Sequence, residues 1–157
     1  MSTKTNAMRV LDQRKIAYEV HGYSPEIHSA VEAAQAMSIP VERVYKTLVV
    51  MRETPRAKPL LVMVPGDREL DLRELARSTG DKKLRMATQK EAESLTGLLV
   101  GGIGALALLN RGFEIWIDPA ARAHERICVN AGQRGINLEL RVDDLVRITN
   151  ARWFERA

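Results

Sequence analysis

The sequence predicts an α+β fold in which a mixed sheet, or a partly closed barrel, is flanked by short helices. Three observations carry that reading. Strand-like and helix-like segments interleave without a regular strand-helix-strand repeat, which argues against a doubly wound parallel sheet. Two near-continuous apolar runs, residues 44–51 and 60–64, have the composition of strands buried on both faces. Several short helix starts are marked by a Ser, Thr or Asp followed three residues later by Glu. At 157 residues, 45% of them hydrophobic, the chain suits one domain with one core over residues 1–157.

The elements follow in order. Met8, Val10 and Leu11 have helical spacing, predicting a helix over 6–13, and residues 16–20 alternate like a half-buried strand. The stretch from His21 to Pro25 is turn chemistry. Ser29 with Glu32 opens a helix to about Met37, and Pro40 closes that region. In the strand over 44–51, Val44, Lys46, Leu48 and Val50 share one face and Tyr45, Thr47, Val49 and Met51 the other. Lys46 is the one charge among them. An ammonium there needs an anionic or hydrogen-bonding partner, or a route to water along its own stem. Residues 52–58, with Pro55, read as a polar hairpin loop before the second apolar strand.

Asp71 with Glu74 and Thr88 with Glu91 predict helices over 72–78 and 89–95, with a short basic segment at 82–85 between them. Gly101, Gly102 and Gly104 permit a tight turn or a close backbone approach. Strands are expected over 113–117, 126–129 and 136–140, then a helix from Asp143 or Asp144. The exposed-looking cations Arg73, Arg77, Lys82, Lys83, Arg85 and Lys90 gather in one stretch and suit phosphate contact. Trp153 and Phe154 read as core or docking aromatics.

The net charge of +4 is compatible with a polyanionic partner but too mild to demonstrate one. No apolar run reaches the roughly 20 residues of a membrane span, and the first six residues lead into no signal-peptide core, so a cytoplasmic protein is expected. The single Cys128 cannot form an internal disulfide, and its flanking Ile127 and Val129 suggest a buried strand thiol. His21, His28 and His124 show no metal-ligand spacing with it, so no metal is expected. Asp143 and Asp144 read as helix-end charge. No Gly-x-Ser-x-Gly elbow, Walker loop or Gly-x-Gly-x-x-Gly is present. An enzyme built from these residues must work by positioning and charge stabilisation.

Three motifs in sequence, Val44-Tyr45-Lys46-Thr47-Leu48-Val49-Val50, Thr96-Gly97-Leu98-Leu99-Val100-Gly101-Gly102-Ile103, and the run from Val129 through Asn130, Arg134 and Asn137 to Leu140, resemble the YbaK/EbsC family. These are free-standing relatives of the editing domain of bacterial prolyl-tRNA synthetases. The resemblance implies a deacylase of mischarged aminoacyl-tRNA, in the best-known branch cysteinyl-tRNA(Pro), without cofactor or metal and with prolyl-tRNA synthetase as a partner. It places catalysis at Lys46 and the Gly101-Gly102 loop, and substrate contacts at Tyr23, Thr47, Asn130, Arg134 and Asn137. A glycine amide in that loop is expected to donate to the developing oxyanion. The alternative class is a non-catalytic module that binds a nucleotide, an aminoacyl ligand or a synthetase through the same lysine. The chain also departs from the best-known branch. It has Gly104-Ala105 in place of a Ser-Pro pair, which should loosen the loop, and Asn130 and Asn137 in place of serine and aspartate.

Overall fold

The computed structural model describes residues 4–54 and 56–156. The expectations that rest on Pro55 and on the first three residues lie outside the described residues. In chain order the elements are α1 (Asn6–Gln13), β1 (Glu19–Gly22), α2 (Ala30–Met37), β2 (Tyr45–Arg52), β3 (Leu60–Pro65), α3 (Leu72–Thr79), β4 (Leu84–Met86), α4 (Gln89–Thr96), β5 (Glu114–Ile117), β6 (Arg126–Asn130), β7 (Ile136–Arg141), α5 (Val142–Thr149) and β8 (Arg152–Trp153). α2, α3 and α4 start where the caps predict. The side chains of Thr5, Ser29, Asp71 and Thr88 each accept a first-turn N–H, and Thr88 with Glu91 completes a reciprocal capping box.

Five strands form a sheet in the order β4-β2-β3-β5-β8 and three form another in the order β1-β7-β6. The fold is thus the α+β class expected, with a mixed sheet: β3 runs antiparallel to β2 and parallel to β5. The two sheets meet at an isolated parallel bridge between Val44 and Cys128. All six residues of β3 are buried. On one side Tyr45, Val49, Leu61, Met63, Ile115 and Ile117 pack with Ala7, Met8 and Leu11 of α1 and Leu145 of α5. On the other, Val50, Leu60, Val62, Val64 and Trp116 pack with Leu75 of α3 and Phe154.

The arrangement around β2 positions the site. β3 pairs along one edge of β2 from Tyr45 to Val50. The opposite edge is shared: β6 bridges it at Val44, and β4 pairs with it only from Val50 to Arg52. Between these contacts the edge is open. The Val49 carbonyl still accepts the Ala87 N–H at 3.0 Å, so by the two-residue alternation of an antiparallel ladder the backbone N–H and C=O of Thr47 face the same gap.

Two expectations are corrected, and two strands go beyond the sequence reading. The first strand begins at Glu19, not near Ile16, because the chain leaves α1 through Lys15 at φ 58° with the Ile16 N–H bonded back to the Leu11 carbonyl; Val20 is consequently 53% exposed. The last helix begins at Val142, whose N–H bonds the Glu125 carbonyl, rather than at an acidic cap. The basic segment becomes a strand only from Leu84. β8, two residues long and parallel to β5, escapes a reading based on alternation.

Candidate active site

A cavity of about 520 Å³ occupies the gap between β6 and β4. Every residue from Val44 to Val49 lines it. A strand shows consecutive residues to one cavity only when its edge, rather than one face, looks in. Lys46, Thr47 and Leu48 are half-buried there, whereas Tyr45 and Val49 are buried. The Lys46 ammonium donates to the Gly66 carbonyl at 3.3 Å. Gly66 is needed at that point: a Cβ on it would lie 2.8 Å from the Ala30 Cβ and 2.9 Å from the Val44 oxygen. The Thr47 Oγ1 and the Tyr45 phenol oxygen are both buried with no hydrogen-bond partner among the described residues. A buried orphan hydroxyl is unfavourable by roughly 1–3 kcal/mol, so a polar atom on the open edge is poised for a ligand. Burial, reinforced by the charge of Asp118, pushes the Tyr45 phenol far up and keeps it protonated.

The far wall is a polar lattice. Tyr23 donates to Asn137 Oδ1 at 3.3 Å. The Asn130 amide nitrogen lies 3.1 Å from the Gly101 carbonyl, 3.2 Å from the Gln133 carbonyl, and 3.4 Å from both Tyr23 Oη and Asn137 Oδ1. Its oxygen accepts the Gly132 and Gln133 N–H groups. Asn130 therefore ties the turn after β6 to the glycine loop. Burial holds the Tyr23 phenol above its ordinary range, leaving a neutral hydroxyl.

The glycine loop divides into two roles. Gly101 lines the cavity at φ +91°, and a Cβ on it would press within 3.1 Å of His28. Gly102 does not line it. Its N–H is committed to the Leu99 carbonyl at 2.7 Å, and a Cβ there would lie 2.8 Å from the Arg134 nitrogen. Its N–H is thus not available to an oxyanion, and its smallness serves close packing. Arg134 likewise lies behind the wall, its Nε donating to the Val100 carbonyl at 2.8 Å. Gly104, at the serine position of the Ser-Pro pair, packs closely on the turn after β6: a Cβ there would meet the Asn130 backbone oxygen at 2.2 Å.

The structure thus brings Tyr23, Lys46, Thr47, Gly101, Asn130 and Asn137 to one cavity and leaves Gly102 and Arg134 supporting it. Sequence reasoning missed His28, Ser29, Thr88 and Gln89, which complete the mouth. Ser29 and Thr88 were legible as helix caps, but not that the N-termini of both α2 and α4 open onto the same space. Those ends and Lys46 give the cavity a positive field. The spacing reading is also corrected at Cys128. The ligand atoms of His21, Cys128 and Glu139 lie within 4.8 Å of one another. Glu139 there is already held by His21 at 2.8 Å and Arg43 at 3.2 Å, and burial pushes the thiol up to about 12, so the group is a half-buried polar network with a buried thiol beside it. Cys128 does not line the cavity.

The expected basic stretch is exposed, and Arg85 within it is bound by Glu91. Among the described residues no helix is long and apolar enough to cross a membrane.

Comparison with known proteins places this geometry. Residues 24–148 match the aminoacyl-tRNA editing domain. The chain is 33% identical over 154 residues, 97% of its length and 92% of the relative's, to a candidate Cys-tRNA(Pro)/Cys-tRNA(Cys) deacylase, EbsC, of Enterococcus faecalis. It is 30% identical over 112 residues to a proline–tRNA ligase of Shouchella clausii, of which it spans 19%. A crystal structure described as a candidate trans-editing enzyme for prolyl-tRNA synthetase superposes with a TM-score of 0.81 at 26% identity, covering 99% of this chain and 100% of that one. With a family match across most of its length, and with Lys46, Thr47 and Gly101 gathered on one cavity, the chain belongs to the aminoacyl-tRNA editing domain family.

Proposed function

We propose that the protein is a trans-editing aminoacyl-tRNA deacylase of the cytoplasm, acting on mischarged tRNA of the Cys-tRNA(Pro) kind, with prolyl-tRNA synthetase as the partner that generates its substrate. The observation that carries this reading is a cavity where the Lys46 ammonium and an open strand edge face a polar wall containing Gly101, with no cysteine or carboxylate among the described residues that line it. The likeness to EbsC and to the trans-editing structure supports it.

The chemistry follows from what the cavity supplies. The ester joins an acyl group to the terminal ribose, and the positive field of Lys46 and two helix ends suits the adjoining phosphate and the charge that develops on the carbonyl oxygen. The attacking atom comes from outside the protein. If it is water, the acyl carbon–oxygen bond breaks to free the amino acid; if it is the thiol of a cysteinyl substrate, the sulfur closes onto its own carbonyl and a thiolactone leaves. In both routes the ribose oxygen departs with a proton, and the tRNA is restored. The thiol route selects cysteine over serine, a poorer nucleophile, and over alanine, which has none.

The test is loss of ester from Cys-, Ala- and Ser-tRNA(Pro) incubated with purified protein, each rate divided by the spontaneous one. Cys-tRNA(Pro) is expected to be lost fastest. Protection or unchanged lifetime of all three esters overturns the reading.

A further inference from the structure

We infer that the pocket turns over aminoacyl esters whose α-nitrogen carries no positive charge, whether a deprotonated amine or an N-acylated one. This rests on the deacylase reading and adds to it the protonation state of the substrate.

Among the described residues the lining contains no Asp or Glu, although an α-ammonium is the group an aminoacyl ester ordinarily carries at neutral pH. It does contain the Lys46 ammonium, the His28 imidazole and the ends of α2 and α4. Of the carboxylates on the surrounding elements, Glu32 on α2 and Asp67 after β3 are exposed and off the lining, and the others are held by other partners. Glu139, two residues beyond Asn137 on β7, is held by His21 and Arg43. On α4, Glu91 is bound by Arg85, and Glu93 accepts the Val100 N–H at 2.9 Å. Arg134 adds a further cation behind Val100, and in the turn after β3 Asp67 is accompanied by Arg68. A second ammonium inside this cavity meets like charge and no counter-ion, which favours its neutral form.

The hydrogen-bonding groups point the same way. Asn137 Oδ1 already accepts from Tyr23 and Asn130, so the group left to a ligand is its NH₂, a donor. Lys46 offers only N–H donors, and the unpartnered Thr47 hydroxyl can donate. Thr47 also turns its backbone carbonyl, an uncharged acceptor, to the gap, but the donors gathered here suit an amine lone pair or an N-acyl carbonyl. An ammonium has neither to offer.

The experiment compares cysteinyl-tRNA(Pro) with N-acetylcysteinyl-tRNA(Pro) from pH 6 to 9. Each kcat/KM is divided by the spontaneous hydrolysis of the same ester, and the ratio of the two is taken so that effects of pH on the protein common to both esters cancel. The N-acetyl ester is expected to be turned over, and the free-amine to N-acetyl ratio to rise about tenfold per pH unit until it levels above the amine pKa, which is about 7.7 for an ordinary terminal amine. Asn137→Asp, which puts a carboxylate where Tyr23 and Asn130 already donate, should raise the ratio at pH 6.5 at least about tenfold relative to wild type; Gln89→Glu at the mouth is the second variant should the first not fold. A ratio flat with pH, refusal of the N-acetyl ester, or an unchanged ratio in folded variants overturns the inference and leaves deacylation standing. Loss of neither ester at any pH overturns deacylation itself, and the inference with it.

Discussion

β2 and β3 are neighbours in register and nearly alike in composition, yet one is core and the other is site. β3 is paired on both edges, by β2 and β5, and each of its residues is buried. β2 has one complete edge and one that β6 and β4 share without meeting. Over that gap its burial falls away at Lys46, Thr47 and Leu48. Function here is a local interruption of sheet pairing, placed where the chain also carries a charge and a hydroxyl that a fully paired strand would have no use for.

The largest effects should separate the two strands cleanly. Leu61→Ala removes side-chain volume from a fully buried position of β3 and is expected to lower stability by about 2–5 kcal/mol, with activity per folded molecule retained. Lys46→Ala should do the reverse: a loss of about 10²–10³ in kcat for deacylation, with an unfolding midpoint close to wild type. Denaturant unfolding and single-turnover ester loss on both variants check the pair. A Lys46→Ala protein that is well folded and active, or a Leu61→Ala protein whose folded fraction is inactive, breaks the division.

Thr47→Val sharpens it within β2 itself. The exchange is close to isosteric and deletes a buried hydroxyl that has no partner among the described residues. Stability should therefore hold or rise, by up to about 1 kcal/mol, while kcat/KM falls about tenfold, the worth of one ligand hydrogen bond. The two readouts moving in opposite directions is the expected mark of an atom kept for the ligand. Parallel loss of both would make Thr47 a core residue.

How far the sequence disclosed this depends on the range of the interactions involved. Caps at Ser29, Asp71 and Thr88 were legible because a capping side chain and its N–H lie within one turn. The strands of β2 and β3 were legible from their apolar runs. The open edge was not, since it arises from where β6 and β4 stop along β2, a relation between residues 32 to 84 positions apart that no local pattern encodes. The same holds for Gly102 and Gly101. Adjacent and chemically identical, they differ because Gln133 and Arg134 lie against one and His28 against the other. Family resemblance marked both; only the fold assigns one to the cavity and one to the wall behind it. His21 and Cys128, 107 positions apart, meet because β1 and β6 flank β7.

The smallest effect is expected at the rim, where an ion pair braces the cavity without lining it. Arg85 grips both oxygens of Glu91 at 2.7 Å, and the Thr88 N–H bonds one of them. Those contacts, the guanidinium first, hold the Glu91 carboxyl down to about 2. Its folded pKa lies below the ordinary value of about 4.3, so the ionised group favours the folded state above that value, and the contribution drains away as pH falls from there towards 2. Because the pair is solvent-facing and screened, Glu91→Gln should shift the unfolding temperature only slightly at pH 7, and less in high salt. The gap between wild type and variant should close below about pH 2. Activity should change by less than about twofold, since Thr88 keeps its own side-chain cap on α4. If Glu91→Gln instead lowered kcat/KM as far as Thr47→Val, with folding unchanged, the Arg85–Glu91 pair would set the position of Thr88 and Gln89 on the cavity wall. The start of α4 would then count for as much in the site as the interruption in β2.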